Sequence, residues 1–551
     1  MSATKGRGIA AGARIMLATM AMVGCGQSDT ARQSGVEPNP SDSPPVATPK
    51  PKPPVTNPGG SGGARGVSPL PPASVRLIAP LSGSLSSTNQ PVFRWALGTG
   101  AEGGIVELCA DRSCKEVIAR LPGTTSATPS APLPVSRMFW RVRTIHRGAE
   151  TGETSATWLL FLPAHTAPRT TAVGTRVDVN GDGFADFVTD DRVLLGSPTG
   201  LGSASLAMLP VRPNTTKTSA VAAGDVDGNG LTDVLRMDFL LPPPPLAPNW
   251  QPDMMLSHGT GFDVGVAEEA LQLTGQISSL GPAGDLNGDG YGDVVGFFYD
   301  PAGPTQLTFY GSPIGLVSGL ADPPVIGLLS YFGVDGDFDG DGFSDVVNVT
   351  HGMPLLIGFG SAMPFARTSM VAGTAGTPLG GVVPVLFDSD FDGFADLGYI
   401  DDNNELALLR GGASGPSGAP FQTFVPGACG SQVCPLNAAE ATGDFNGDGL
   451  LDLVLGRGDG DQVGFATELH LGIAGGSFQT SGTTLAVPAA ALVQQSRGGV
   501  GDVNGDGIDD LVVGVFSDAV ANGDTPPLIS VRLFTGSPGG LVPGATIPLS
   551  P

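Results

Sequence analysis

One nine-residue pattern recurs seven times and dictates most of what this chain can fold into. The copies read DVNGDGFAD from Asp178, DVDGNGLTD from Asp225, DLNGDGYGD from Asp285, DFDGDGFSD from Asp337, DSDFDGFAD from Asp388, DFNGDGLLD from Asp444 and DVNGDGIDD from Asp502. We number them loops 1 to 7, with positions 1 to 9 in each. Asp stands at positions 1 and 9 throughout, and position 3 is Asp or Asn. Position 5 is Asp except for Asn229, position 6 is Gly, and position 7 is a large apolar residue. Carboxylates this close repel one another unless a cation lies between them. An acidic solvated turn is the plain alternative, yet it has no use for so fixed a grammar.

The spacing suits calcium, a hard cation that takes six to eight oxygens at roughly 2.3–2.6 Å. Positions 1, 3 and 5 of a tight turn point side-chain oxygens inward. These are Asp178, Asn180 and Asp182; Asp225, Asp227 and Asn229; Asp285, Asn287 and Asp289; and Asp337, Asp339 and Asp341. Loops 5 to 7 supply Asp388, Asp390 and Asp392; Asp444, Asn446 and Asp448; and Asp502, Asn504 and Asp506. Position 9 completes the set, with both oxygens on the ion: Asp186, Asp233, Asp293, Asp345, Asp396, Asp452 and Asp510. Position 7 is expected to lend its backbone carbonyl while its side chain enters the core. Those residues are Phe184, Leu231, Tyr291, Phe343, Phe394, Leu450 and Ile508. Glycine at position 6 takes the sharp bend. Seven structural calcium ions are the expected cofactors.

An EF-hand opens in the same way but needs Glu at position 12 and flanking helices. Here position 12 is Thr189 in loop 1 and Arg236 in loop 2. The residues after position 9 are β-branched and apolar, as in FV after Asp186 and VV after Asp293, so strands follow the loops. Successive loops begin 47 to 60 residues apart, a length suited to propeller blades. Within each unit a strand leads into the loop, a second leaves it, and a third often closes in a glycine turn such as GSPTG after Leu195. The expectation is an all-β fold, a seven-bladed propeller of four-stranded sheets over residues 166–551.

These units resemble the FG-GAP repeats of the integrin α-subunit β-propeller and its bacterial relatives, with GDxNGDGxxDxxxG as the shared core. The resemblance implies calcium loops between the first two strands of each blade, on the face opposite the usual ligand surface, bracing rather than catalysing. Phe391 in place of the usual position-4 glycine, and Asn229 in place of a carboxylate, mark two loops expected to bind more weakly.

The loops also explain the charge. Nearly half of the 52 acidic residues lie in them, and seven divalent ions would reduce the formal −25 to about −11. The acidity is therefore mostly metal site. It disfavours nucleic acid and anionic lipid as partners.

The amino-terminal end reads as an address. Lys5, Arg7 and Arg14 precede IMLATMAMVG, a signal too short to span a bilayer, and MVGC ending at Cys25 resembles a bacterial lipobox. Residues 1–25 are thus expected as a lipoprotein signal with Cys25 lipidated, at the outer membrane or cell surface; plain secretion is the alternative. Residues 26–73, rich in Pro, Ser and Gly, form a disordered tether that could reach about 100 Å at roughly 3 Å per residue. Residues 74–165 hold short alternating strands and resemble a fibronectin type III-like β-sandwich, with Trp95 and Trp140 in its core. Two cysteine pairs, Cys109 with Cys114 and Cys429 with Cys434, read as local disulfides in an exported chain, with a shared zinc site as the minor alternative.

No catalytic constellation is visible. The five histidines are scattered, and no nucleophile elbow or phosphate loop occurs. The favoured function is a monomeric, surface-anchored binding or adhesion module for an extracellular protein or carbohydrate. A polysaccharide lyase is one alternative, although only 27 basic residues and 5 tyrosines could build its site; a structural envelope protein is another. Trp250, beside the proline run LLPPPPLAP, is a candidate contact residue.

Overall fold

The computed structural model describes residues 75–549 apart from interior stretches that include 163–171, 241–248, 265–275, 322–330, 375–384, 458–465 and 517–527. The signal, Cys25 and the whole tether lie outside the described residues, as does the proline run after Leu240. Every described element is a strand. Among the described residues no helix is long and apolar enough to cross a membrane.

Seven small antiparallel sheets follow one another along the chain, each carrying one loop. The second sheet is typical. Thr215–Gly224 runs into loop 2, Asp233–Leu240 leaves it, and Asn249–Ser257 and Phe262–Val264 complete the order. Position 9 is itself the first residue of the outgoing strand in sheets 2, 3, 5, 6 and 7. The apolar residues behind it, such as Val234 and Leu235, are fully buried between neighbouring sheets. The first sheet has three strands among the described residues and the seventh has five, against the four expected of each.

What joins the sheets is a set of shared cores. Residues from sheets 1 and 2 form one cluster, sheets 2 and 3 another, and so on around the molecule. Ala185 and Phe187 of the first sheet pack with Val503, Val512 and Val531 of the last, which closes the ring. Position 2 supplies the pivot at six of these junctions: Val179, Val226, Leu286, Phe338, Phe445 and Val503 are all 0% exposed. Burying each contributes about 1.5–3 kcal/mol.

The expectation that position 7 enters the core is corrected here. Apart from Leu231 these side chains are only half-buried, because they lie over the preceding loop instead.

Two further sheets precede the ring. Arg76–Ala79, Phe93–Ala96 and Ser126–Ala127 form a three-stranded sheet. It shares a core with the larger sheet that contains Gly103–Cys109, Arg137–His146 and Trp158–Phe161. Trp95 and Trp140 are 1% and 0% exposed, and Trp140 meets Trp158 edge-on at 5.7 Å. Ala172–Thr175, placed by sequence with the propeller, pairs with Ser84–Ser86 of this unit. Residues 73–551 fall in one compact body, so the unit is seated against the ring.

The Cys109–Cys114 disulfide is present. Gly427–Cys429 and Gln432–Cys434 pair as a hairpin, while the side chains of the second cysteine pair lie outside the described residues.

Candidate metal centres

Each loop is wound around its own carboxylates. The position-1 Asp accepts from the position-6 glycine N–H at 2.7–3.1 Å in loops 1 and 3 to 7. The position-5 side chain accepts from the position-7 N–H in all seven, at 2.7–3.1 Å. The ring of side-chain oxygens is therefore held inward by the turn that carries it. Where position 3 is Asp, three carboxylates converge to within 4.8 Å: Asp225, Asp227 and Asp233; Asp337, Asp339 and Asp341; Asp388, Asp390 and Asp392. In loops 1, 3, 6 and 7 position 3 is Asn, whose amide supplies an oxygen of lower charge.

Position 9 does a second job that its sequence did not disclose. Its Oδ2 accepts from the position-2 N–H at 2.8–3.2 Å in every loop. Its Oδ1 accepts from a backbone N–H at the end of the third strand, such as Gly196 or Gly360, at 2.7–3.0 Å. The carboxylate thus ties loop to sheet, and in loop 5 its Oδ2 also accepts from Ser389 Oγ and Arg410 Nη1.

Neighbouring loops are stitched together. At six junctions the position-8 N–H donates to the position-1 carbonyl of the preceding loop, from Thr232 to Asp178 around to Ala185 on Asp502, at 2.8–3.1 Å. The position-7 side chain covers the position-4 glycine of that preceding loop. A Cβ at Gly181 would stand 2.6 Å from Leu231, and one at Gly288 2.7 Å from Phe343. These glycines have φ of +70 to +79°, a region costly for other residues, so the position needs glycine twice over.

Loop 5 departs from this. Phe391 holds φ +63° at position 4, and Arg410 reaches into the loop. Its Nη1 lies 2.7 Å from Asp396 Oδ2 and its Nε 3.3 Å from Asp390, with the guanidinium stacked 3.6 Å from the Phe421 ring centroid. Loop 5 carries its own positive charge. We expect Arg410→Gln to tighten cation binding at loop 5 several-fold and to lower stability in chelator by about 3 kcal/mol, since it strands a buried carboxylate. Titration calorimetry and urea denaturation read the two effects.

The electrostatics ask for a cation. Burial pushes the Asp186 and Asp452 carboxyls up to about 8 and those of Asp337, Asp388 and Asp510 up to about 7, with nearby carboxylates adding to the rise. Burial likewise raises Asp233, Asp293 and Asp345 well above the usual range. Among the described residues, Asp225 Oδ1 and Asp390 Oδ1 are buried with no hydrogen-bond partner. Oxygen-only donors, inward orientation and unspent lone pairs fit a hard divalent ion. Among the described residues the acids of positions 1, 3 and 9 converge in loop 2 and those of positions 1, 3 and 5 in loops 4 and 5; what sequence reasoning missed is the role of position 2, although six of seven are large and apolar there.

Residues 444–513, spanning loops 6 and 7, match the model of the FG-GAP-like repeat family. That stretch carries an FG-GAP-like repeat. The repeats build a β-propeller whose other loops reproduce the same internal bonds. Among solved structures, a protein from Lactobacillus plantarum aligns with TM-score 0.36 and 12% identity over 66% of this chain and 97% of its own. The exotype rhamnogalacturonan lyase YesX aligns with TM-score 0.30 and 13% identity over 86% and 84%. The Dos1 propeller aligns with TM-score 0.29 and 10% identity over 83% and 93%. Such likenesses say nothing of activity. No curated protein matches the chain.

Proposed function

We propose that the FG-GAP propeller is a calcium-stabilised binding module, exported and tethered outside the cell through a lipid on Cys25. The observation that carries this reading is the set of seven oxygen-lined loops, whose buried carboxylates outnumber the arginines that reach loops 2 and 5. FG-GAP repeats often bind calcium, and the donor set here suits it. The ions brace the ring; the partner is an extracellular protein or carbohydrate.

The N-terminal unit sits over the loops, which favours the opposite end of the sheets as the binding surface. Sheet 2 ends there with Leu240 paired to Asn249, the two residues flanking the proline run. Equilibrium dialysis should return about seven calcium ions per chain, with loop 5, into which Arg410 reaches, filling last. Asp285→Ala should lower the number by about one; an unchanged number would remove loop 3 as a site. Glycan-array binding by the intact protein, in calcium and in chelator, tests the partner class.

A further inference from the structure

The loop side of the propeller is already occupied, and by basic residues. Arg112 of the N-terminal unit donates from Nε to Gly228 O at 2.8 Å and from Nη2 to Gly290 O at 2.8 Å. Its Nη1 donates to Thr157 O at 3.0 Å, and its guanidinium lies 4.4 Å from the Tyr291 ring centroid. Arg137 Nη1 donates to Gly230 O at 3.0 Å, Ser82 Oγ to Gly290 O at 3.1 Å and Trp158 Nε1 to Gly288 O at 3.3 Å. Arg76 lies over Phe343 of loop 4, and a Cβ at Gly393 of loop 5 would collide with the Arg94 guanidinium. The acceptors in loops 2 and 3 are carbonyls at positions 4 and 6, where the turn bends around its carboxylates.

One carboxylate joins this interface to a candidate ion. Asp225 Oδ2 pairs with Arg112 Nη2 at 2.9 Å. Asp225 Oδ1, on a residue only 7% exposed, has no hydrogen-bond partner and belongs to the cluster with Asp227 and Asp233. One oxygen is held by the N-terminal unit and the other is buried and unspent. Arg112 is itself presented on a fixed turn, because Cys109 and Cys114 are bonded on either side of it and buried against Phe139, Leu159 and Phe161.

We propose that loop 2 is a cation-operated latch that seats the N-terminal unit on the propeller, with Asp225 shared between the ion and Arg112. An ion on Oδ1 fixes the carboxylate and the wrap of positions 4 to 6, and so fixes the acceptors that Arg112 and Arg137 use. Without it the carboxylates repel, the wrap loosens and the arginines lose their partners. The coupling is reciprocal: removing Arg112 weakens the ion at loop 2 by the factor by which removing the ion weakens docking. This rests on the calcium reading above.

Hydrogen exchange on the full chain, with bound calcium counted in the same samples, tests it. In calcium, amides of residues 110–116 and 228–232 are protected. In chelator their exchange rises about tenfold or more, while Gly103–Cys109 and Arg137–His146 stay protected as the unit's own core. Arg112→Gln shows the raised exchange at 228–232 even in calcium and binds the loop 2 ion at least about fivefold more weakly. Arg120→Gln, on a side chain paired with Glu107 and Glu150 away from the loops, changes neither. Calcium that is bound and then removed with no change at these amides overturns the latch and leaves the calcium reading standing. A protein that binds no calcium overturns both.

Discussion

In chelator this protein loses stability as pH rises from about 4 to 8, the reverse of ordinary acid unfolding. The carboxyls of Asp186, Asp337, Asp388, Asp452 and Asp510 are raised by burial to about 7 or 8 in the fold and return to ordinary values when the chain unfolds. Below pH 4 both states hold the protons, so these groups impose no penalty. Between 4 and 8 the unfolded chain releases them while the fold must keep them or bury charge. Each group then removes up to about 1.4 kcal/mol per pH unit. Calcium inverts the trend, since bound ligands are deprotonated and binding strengthens as protons leave. Seven sites, each worth about 2.7 kcal/mol at a hundredfold excess over Kd, amount to a rise in melting temperature on the order of 20 °C. Melting curves from pH 5 to 8, with calcium and with chelator, decide the matter. A chelated protein that grows more stable toward pH 8 would show that the carboxylates lack the burial assigned to them.

Asp345→Ala is the second large effect, and it separates two roles that share one side chain. Asp345 is 0% exposed and accepts from Phe338 N–H and Gly360 N–H, both at 2.8 Å. Removing it strands two buried donors at about 1–3 kcal/mol each and takes an oxygen from the ion. A loss of about 3–5 kcal/mol in calcium is expected. Asn446→Ala, at position 3 of loop 6, removes one candidate ligand and two exposed local bonds, one from the Asp448 N–H and one to its carboxylate, and should cost about 1 kcal/mol. Asp345→Asn falls between them, because its amide group meets one backbone N–H with another donor. Urea unfolding in calcium measures all three. Equal losses for Asp345→Ala and Asn446→Ala would mean that position 9 is a ligand and nothing more.

These cases show how far the residues could be read in advance. Loop spacing, invariant acids and the β-branched residues after position 9 announced the strands and the repeat, because local chemistry alone specifies them. The tie from Asp186 to Gly196 N–H was not legible, since it depends on where the third strand ends in space. Position 7 was misjudged for a related reason. An apolar residue such as Phe394 must be covered, but whether by its own sheet or by Gly340 of the loop before depends on how sheets meet. The seat of the N-terminal unit was likewise hidden: Arg112 is an unremarkable residue between two cysteines until loops 2 and 3 lie beneath it.

The bond from Ala185 to Asp502, with Phe184 resting on Gly505, has a consequence for biogenesis. The ring's first sheet has its final neighbour in the seventh, so a nascent chain exposes a raw flank until the seventh has been made. Closing so long a loop is entropically slow, and an unpaired flank invites contact with other chains. Loss of the seventh sheet would therefore harm the ring's first sheet before the others.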